Sequence, residues 1–468
     1  MSQDWAIENF LEIKNNQLYI DGVSAVDLAN EHGTPLFVFS EKRIRHNIGR
    51  LKRAGDFIDC RLKICYAAKA MSTMGILKAV KDAGSDIEVN SGGELWKALT
   101  IGFRGDQIIF NGTSKEIWEI EKAVNAGIYA IQVDSVVELA MIEETARRLN
   151  KRANVSLRLV PEIESSTHSG LQTALLTSKF GMMPAEAHAA FREYKDSPHL
   201  NLAGIHLHIG SQNPSAAGYA DALQVLFHNL LAIFNETGIK LSHINLGGGF
   251  PVNYLRDRSV EGSFPDEERE MFAADFEPAD AISNAWDVIK RSAESANAAE
   301  LLKDITLLLE PGRSIIADAG VCLTSVRNIK TRPLPGSSLA PGHSSVDHWL
   351  LTDAGFNLLL STATYNWYYQ LVSAERAEVG HDFPYKLAGP LCDGGDVYFD
   401  IEGLGRLPEH RLLPKDVELG EILALLNCGA YSMSQASQYN ARFLPPIVLI
   451  RDSGHPELVR TRDTFRDL

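Results

Sequence analysis

The chain has 468 residues, with 45 Lys+Arg against 60 Asp+Glu and a net charge of −15. That balance excludes the basic face a nucleic-acid partner requires and any attraction to an anionic membrane surface. No apolar run approaches the roughly 18 residues of a membrane span, and the acidic start, Met1 to Trp5, lacks the basic and apolar regions of a secretion signal. A cytoplasmic protein is expected, with about two to four domains or one large barrel and a smaller companion.

In chain order, residues 16–22 read as a strand and turn, with Leu18-Tyr19-Ile20 before Asp21-Gly22. Short apolar, β-branched runs then predict strands at 61–67, 86–89, 107–111, 130–134, 154–160, 202–210, 243–248 and 305–310. Between them, apolar residues at i, i+3, i+4 predict helices at 74–83, 93–101, 116–125, 136–149 and 220–236. Such alternation implies parallel βαβ units, and about eight of them in about 250 residues is what a (β/α)8 barrel requires, with a doubly wound sheet as the competing arrangement that strand count alone does not exclude. The acidic stretch 266–280 reads as a solvated loop and helix start. After Arg313 the texture changes. Residues 332–346, rich in Pro, Gly and Ser, read as a loop, and short strands follow at 348–352, 386–388, 397–399, 421–426 and 447–451. The expected architecture is an α/β barrel over 36–313 and a β-rich domain built from 1–35 and 314–468. The five cysteines, Cys60, Cys65, Cys322, Cys392 and Cys428, are scattered, with no Cys-x-x-Cys pair for a disulfide framework or structural zinc.

In a barrel, polar residues at the carboxyl ends of strands are the candidates for chemistry. Here they are Lys69, Glu88, Asn111, Asp134, Arg158, His208, Gly247-Gly248-Gly249, Glu310 and Arg313. Lys69, ending an apolar strand, suits a desolvated amine that condenses with a carbonyl cofactor. For pyridoxal phosphate, the glycine triplet after the seventh strand offers backbone N–H groups to a phosphate, with Ser211 adding a hydroxyl. Glu310 offers a carboxylate to the ring nitrogen, and His208 an imidazole to the ring face. Taken singly, each has a plainer reading: a surface lysine, a turn, a strand-end ion pair with Arg313, a core histidine. His206-x-His208 also permits a zinc-dependent barrel hydrolase, because alternate strand residues share a face, with His168 as a third imidazole.

Together these segments resemble the fold-type III pyridoxal-phosphate decarboxylases, in particular the diaminopimelate decarboxylase branch. The resemblance rests on Tyr66-Ala67-Ala68-Lys69, Asn90-Ser91-Gly92-Gly93-Glu94, Lys179-Phe180-Gly181, His206-Leu207-His208-Ile209-Gly210-Ser211 and Gly247-Gly248-Gly249-Phe250. It continues through Glu310-Pro311-Gly312-Arg313, Gly389-Pro390-Leu391-Cys392-Asp393, Gly429-Ala430-Tyr431 and Tyr439-Asn440-x-Arg442, and so covers nearly the whole chain. It implies an alanine-racemase-like barrel, a β domain and a head-to-tail homodimer with shared active sites acting on a small amino-acid substrate. By motif match, Lys69 carries the cofactor, His208 stacks on it, Glu310 holds the ring nitrogen, and Glu88 and Arg158 belong to the same pocket. Ser211, Gly248, Gly249 and Tyr431 are expected at the phosphate. Arg313, Tyr365 and Asp393 are expected at the substrate, and Cys392 and Asp393 from the other subunit, where the cysteine helps return a proton.

The resemblance implies decarboxylation of a diamino acid at its D-configured α-carbon. An amino-acid racemase of the same fold generally sets an arginine at the ring nitrogen, and Glu310 speaks against it. A non-catalytic cofactor-binding protein of the barrel alone is opposed by the long β domain. Two departures bear on the substrate. Cys392-Asp393-Gly394 stands where diaminopimelate decarboxylases usually have Cys-Glu-Ser, and Ser361 stands where they carry an arginine for the distal carboxylate. Tyr365 to Tyr369 and Leu391 to Asp396 look more like the D-ornithine/D-lysine decarboxylase offshoot. A site lacking that bidentate clamp predicts that D-lysine or D-ornithine is used at least as well as meso-diaminopimelate.

Overall fold

A computed structural model of the chain describes residues 4–160, 178–255, 266–274, 276–333 and 346–468. The chain divides into two compact units, Arg45–Pro251 with Ala274–Ile315, and Met1–Ile44 with Val252–Ala273 and Ile316–Leu468.

The first unit is a closed barrel of eight parallel strands. They are β1 (Arg61–Ala67), β2 (Asp86–Val89), β3 (Ile108–Phe110), β4 (Ala130–Val133), β5 (Ala153–Arg158), β6 (Leu200–His206), β7 (His243–Asn245) and β8 (Thr306–Leu309). Most of their residues are buried, as parallel strands covered by helices must be. Several barrel helices start at side-chain caps written in the sequence. Ser91 accepts from Glu94 N–H at the head of Gly92–Thr100, and Ser135 accepts from Glu138 N–H at the head of Val136–Arg148. Ile117–Ala126 stops at Gly127 (φ 58°), where a left-handed residue without a Cβ ends the helix cheaply. The sequence bounds of β1 and β2 hold to the residue. Among the helices that escape the sequence reading are Glu41–Lys52, Pro184–Tyr194 and Pro278–Ser295, the last two with proline in the first turn.

The second unit holds a nine-stranded mixed sheet whose hub is the long strand Gly320–Pro333. It pairs antiparallel with Val346–Thr352, Ile422–Leu425 and Leu36–Ser40. Leu36–Ser40 in turn takes Ile447–Ile450 as a parallel neighbour. Both chain ends therefore meet in one sheet, and Trp5, Phe10, Leu18, Leu36, Val321, Val372, Ile422 and Val448 share its core. Three expectations change. Leu36–Ser40 joins this sheet, so the barrel proper opens with β1 and not at residue 36. The acidic stretch contains a helix, Asp266–Ala273, which buries Met271 and Phe272. The strand expected at 397–399 reduces to a single bridge between Ala388 and Val397. Most of the predicted loop 332–346 lies outside the described residues. Among the described residues no helix is long and apolar enough to cross a membrane.

Candidate active site

Parallel register fixes the first part of the site. Arg158 at the end of β5 stands level with His206 of β6, which stands level with Asn245 of β7. Glu310 follows β8 directly. Its Oε1 accepts from Asn245 Nδ2 at 2.7 Å and its Oε2 from Asn111 Nδ2 at 3.0 Å, with His206 Nε2 3.5 Å from Oε2. The same Asn111 amide donates to Glu88 Oε1 at 2.9 Å. One amide thus bridges two buried carboxylates. Burial, with the Glu88 charge next, pushes the Glu310 carboxyl up to about 7, against the pull of the Asn245 hydrogen bond, Lys69 and Arg158.

Around this centre, His208 lies half-buried just beyond β6. Its Nδ1 accepts from Gly248 N–H at 3.1 Å, which puts the proton of a neutral ring on Nε2. Burial, helped by the charges of Lys69 and Arg158, holds the imidazole well below the ordinary histidine value, consistent with that neutral ring. The glycine triplet is required by close approach. A Cβ at Gly248 would run into the Glu310 carbonyl, and one at Gly249 into Asn213 and the Gly210 carbonyl. Gly247 N–H donates to Asn245 Oδ1 and Gly248 N–H to His208, so an anion held by Gly248 has to exchange for the latter bond. Arg313 is buried, and its Nε donates to Ser211 Oγ at 3.3 Å. Asp134 Oδ1 accepts from Gly181 N–H, and Phe180 lies on the Arg158 guanidinium at 4.3 Å, which gives the Lys179-Phe180-Gly181 segment its place. Lys69, in the turn Ala68–Ala70 after β1, is exposed in the single chain, where the sequence reading asked for a desolvated amine.

The remaining candidates belong to the second unit. Cys392 and Asp393 are exposed on the segment after the strand Phe383–Ala388. Tyr365 is half-buried at the end of the helix Leu360–Tyr365, and Ser361 is buried in it. Tyr431 is half-buried with φ 57°, following Gly429, where any Cβ would collide with the Ile316 carbonyl.

Sequence reasoning missed the joint role of Asn111, Asn245 and His206 around Glu310. The available signal was position alone: each stands at or just beyond the carboxyl end of a barrel strand. Of the metal alternative, His168 lies outside the described residues, and among those described no group of three His, Cys, Asp or Glu is placed to hold a metal. Pyridoxal phosphate fits the centre on a direct observation. Glu88 Oε2 and Asn111 Oδ1 are buried with no hydrogen-bond partner among the described residues, and at Glu310 burial and the Glu88 charge outweigh the Lys69 and Arg158 charges. A protonated ring nitrogen is a cationic donor that such a centre can take.

Residues 42–317, more than half the chain, match the model of the pyridoxal-dependent decarboxylases, pyridoxal binding domain. The diaminopimelate decarboxylase of Methanocaldococcus jannaschii is 34% identical over 98% of this chain and 95% of its own length. That of Bacillus subtilis is 32% identical over 97% and 95%. The crystal structure of the M. jannaschii enzyme in complex with L-lysine superposes with a TM-score of 0.80 at 32% identity, covering 98% of this chain and 96% of that one. With the barrel, the buried glutamate centre and full-length similarity in agreement, the chain belongs to the diaminopimelate decarboxylase family of pyridoxal-phosphate-dependent decarboxylases.

Proposed function

We propose that this decarboxylase acts on a diamino acid at its D-configured α-carbon, with the barrel residues in the following roles. The observation that carries the reading is the buried Glu310, held by Asn245 and Asn111 with His206 beside it. Pyridoxal phosphate, when bound, supplies the electron sink for the carbon that loses its carboxylate. A buried carboxylate suits a ring nitrogen that must stay protonated, and Glu88 and Arg158 balance the charge around it. Lys69 would carry the cofactor and His208 would cover its face as a neutral ring. Ser211, Gly248, Gly249 and Tyr431 would hold the phosphate. Arg313 and Tyr365 would orient the substrate, and Lys69 or Cys392 would return one proton to the carbon after CO2 leaves.

Two readings of the substrate stand. The first is meso-diaminopimelate, which would yield L-lysine, the molecule found in the M. jannaschii complex. The second is D-lysine or D-ornithine, favoured by Ser361 in place of a cation and by the exposed Asp393, whose carboxylate can receive a distal ammonium. Ser361 is only 3% exposed, so an arginine introduced there has no ready space, and Asp393 is the better lever on specificity. Assaying CO2 release from D-, L- and meso-diamino acids tests both readings. Preference for either D-amino acid, reduced in Asp393→Asn, supports the second; strong preference for meso-diaminopimelate overturns it. Release from none of them overturns the assignment as a diamino-acid decarboxylase.

We also propose a homodimer. Trp96 (51% exposed), Trp118 (50%) and Val137 (72%) sit in the first turns or middle of three successive helices that follow β2, β3 and β4. Apolar side chains of this size on consecutive elements favour coverage by another protein surface.

A further inference from the structure

The segment bearing Cys392 and Asp393 is clamped at several consecutive backbone groups. Gly389 N–H donates to the Asp396 carbonyl, and Arg442 Nη2 donates to the Pro390 carbonyl at 2.8 Å. Leu391 N–H donates to Asp396 Oδ2 at 2.8 Å, and Cys392 N–H to Asn440 Oδ1 at 2.6 Å. Asp393 Oδ1 accepts from Gly395 N–H at 2.9 Å and Oδ2 from the Tyr439 hydroxyl at 3.3 Å. Asp396 is itself buried, and its other oxygen accepts from Phe356 N–H at 2.8 Å. Gly355 and Gly389 press against it so closely that a Cβ at either would strike the carboxylate.

An exposed loop does not ordinarily receive this many specific bonds. A second observation points the same way. Asn440 (φ 57°) and Ala441 (φ 54°) are consecutive non-glycine residues in the left-handed region. Asparagine tolerates that conformation, but alanine there stores strain that the surroundings must impose. This turn carries the Asn440 amide that accepts from Cys392 N–H and leads directly to Arg442, which donates to the Pro390 carbonyl.

We propose that Asp396, Asn440 and Arg442 are positioning residues that hold Cys392 and Asp393 in a single presentation for the reaction. The proposal rests on the reading of Cys392 and Asp393 as parts of the active site. Preorganising a proton-returning group by locking its backbone favours turnover more than binding.

The test uses the full-length holoenzyme and three variants at one position. Asn440→Gly keeps the left-handed backbone and removes the amide; Asn440→Asp keeps an acceptor; Asn440→Ala removes both. In Asn440→Gly, amide hydrogen exchange in the peptide containing 389–396 should speed up about tenfold. kcat should fall about tenfold with KM changed less than about threefold. Asn440→Asp should recover most of both. Arg442→Met, altering an exposed side chain, tests the same clamp if Asn440→Gly does not accumulate, with a smaller effect in the same direction. Unchanged exchange overturns the proposal, and so does faster exchange with wild-type kcat, which would make the clamp purely structural. Cys392→Ala separates the two levels: wild-type turnover there removes Cys392 from the reaction, whatever the exchange shows.

Discussion

At the scale of single residues, the chemistry is set by how the barrel tolerates two buried carboxylates. Asn111 resolves the conflict by giving one amide hydrogen to each, and Asn245 adds a second donor to Glu310. Glu310 nevertheless titrates well above the ordinary glutamate value of 4.5, at about 7. A carboxyl raised on folding binds its proton more tightly in the native state, so its stabilising contribution is complete below the unfolded value and is lost as pH rises to the folded one. The cofactor-free protein should therefore lose on the order of 3 kcal/mol from this group between those two pH values. Urea unfolding of the wild type and Glu310→Gln at pH 4.5, 6 and 7.5 measures the difference, and parallel pH dependences would refute it. Asn111→Leu leaves Glu88 and Glu310 without their shared donor, and it should weaken cofactor retention on dialysis at least tenfold. Retention equal to wild type would make the amide a bystander. For Lys69, borohydride treatment should fix the cofactor to the peptide that contains it, and Lys69→Ala should abolish both this label and turnover.

At the scale of elements, the glycine loop after β7 shows why local spacing matters. A Cβ at Gly248 meets the Glu310 carbonyl, backbone that cannot swing aside as a side chain can. Gly248→Ala should therefore cost about 1–3 kcal/mol of stability, and it should displace both Glu310 and His208, lowering kcat more than melting alone explains. Normal stability and activity would show that the loop has slack. The barrel was legible in the sequence because parallel strands buried on both faces read as continuous apolar runs. β1 and β2 needed no adjustment, although Arg61 and Lys63 interrupt the first and Asp86 and Glu88 the second. Leu36–Ser40 reads the same way, yet its partners are Gly320–Pro333 and Ile447–Ile450, and no local pattern reveals a partner nearly 300 residues away. The site was legible in part. Lys69, His208 and Glu310 stood out by motif, whereas the bonds of Glu310 to Asn245 and Asn111 join residues 65 and 199 positions apart. Such contacts are products of barrel closure, and they carry no sequence signature beyond placement at strand ends.

At the scale of the whole molecule, the reading requires that chemistry be shared between chains. Lys69 lies in the barrel unit and Cys392 in the β unit, and each is exposed in a single chain. A desolvated amine and a proton donor of fixed geometry do not suit two solvent-exposed groups. If a head-to-tail dimer supplies Cys392 to the neighbouring barrel, Lys69→Ala and Cys392→Ala subunits are each inactive but complementary. In a hybrid dimer one site carries both defects and the other carries neither. Random exchange makes half of the dimers hybrid, each with one of two sites intact, so about one quarter of wild-type activity should return. The recovered activity should also scale with subunit exchange, followed independently by mass spectrometry of differently labelled chains. Trp118→Lys, on the exposed rim of the barrel, should weaken the dimer in sedimentation and slow turnover at low protein concentration, with less effect at high concentration. Complete exchange without any recovery would place Lys69 and Cys392 in the same chain's site, and the shared-site dimer would have to be abandoned.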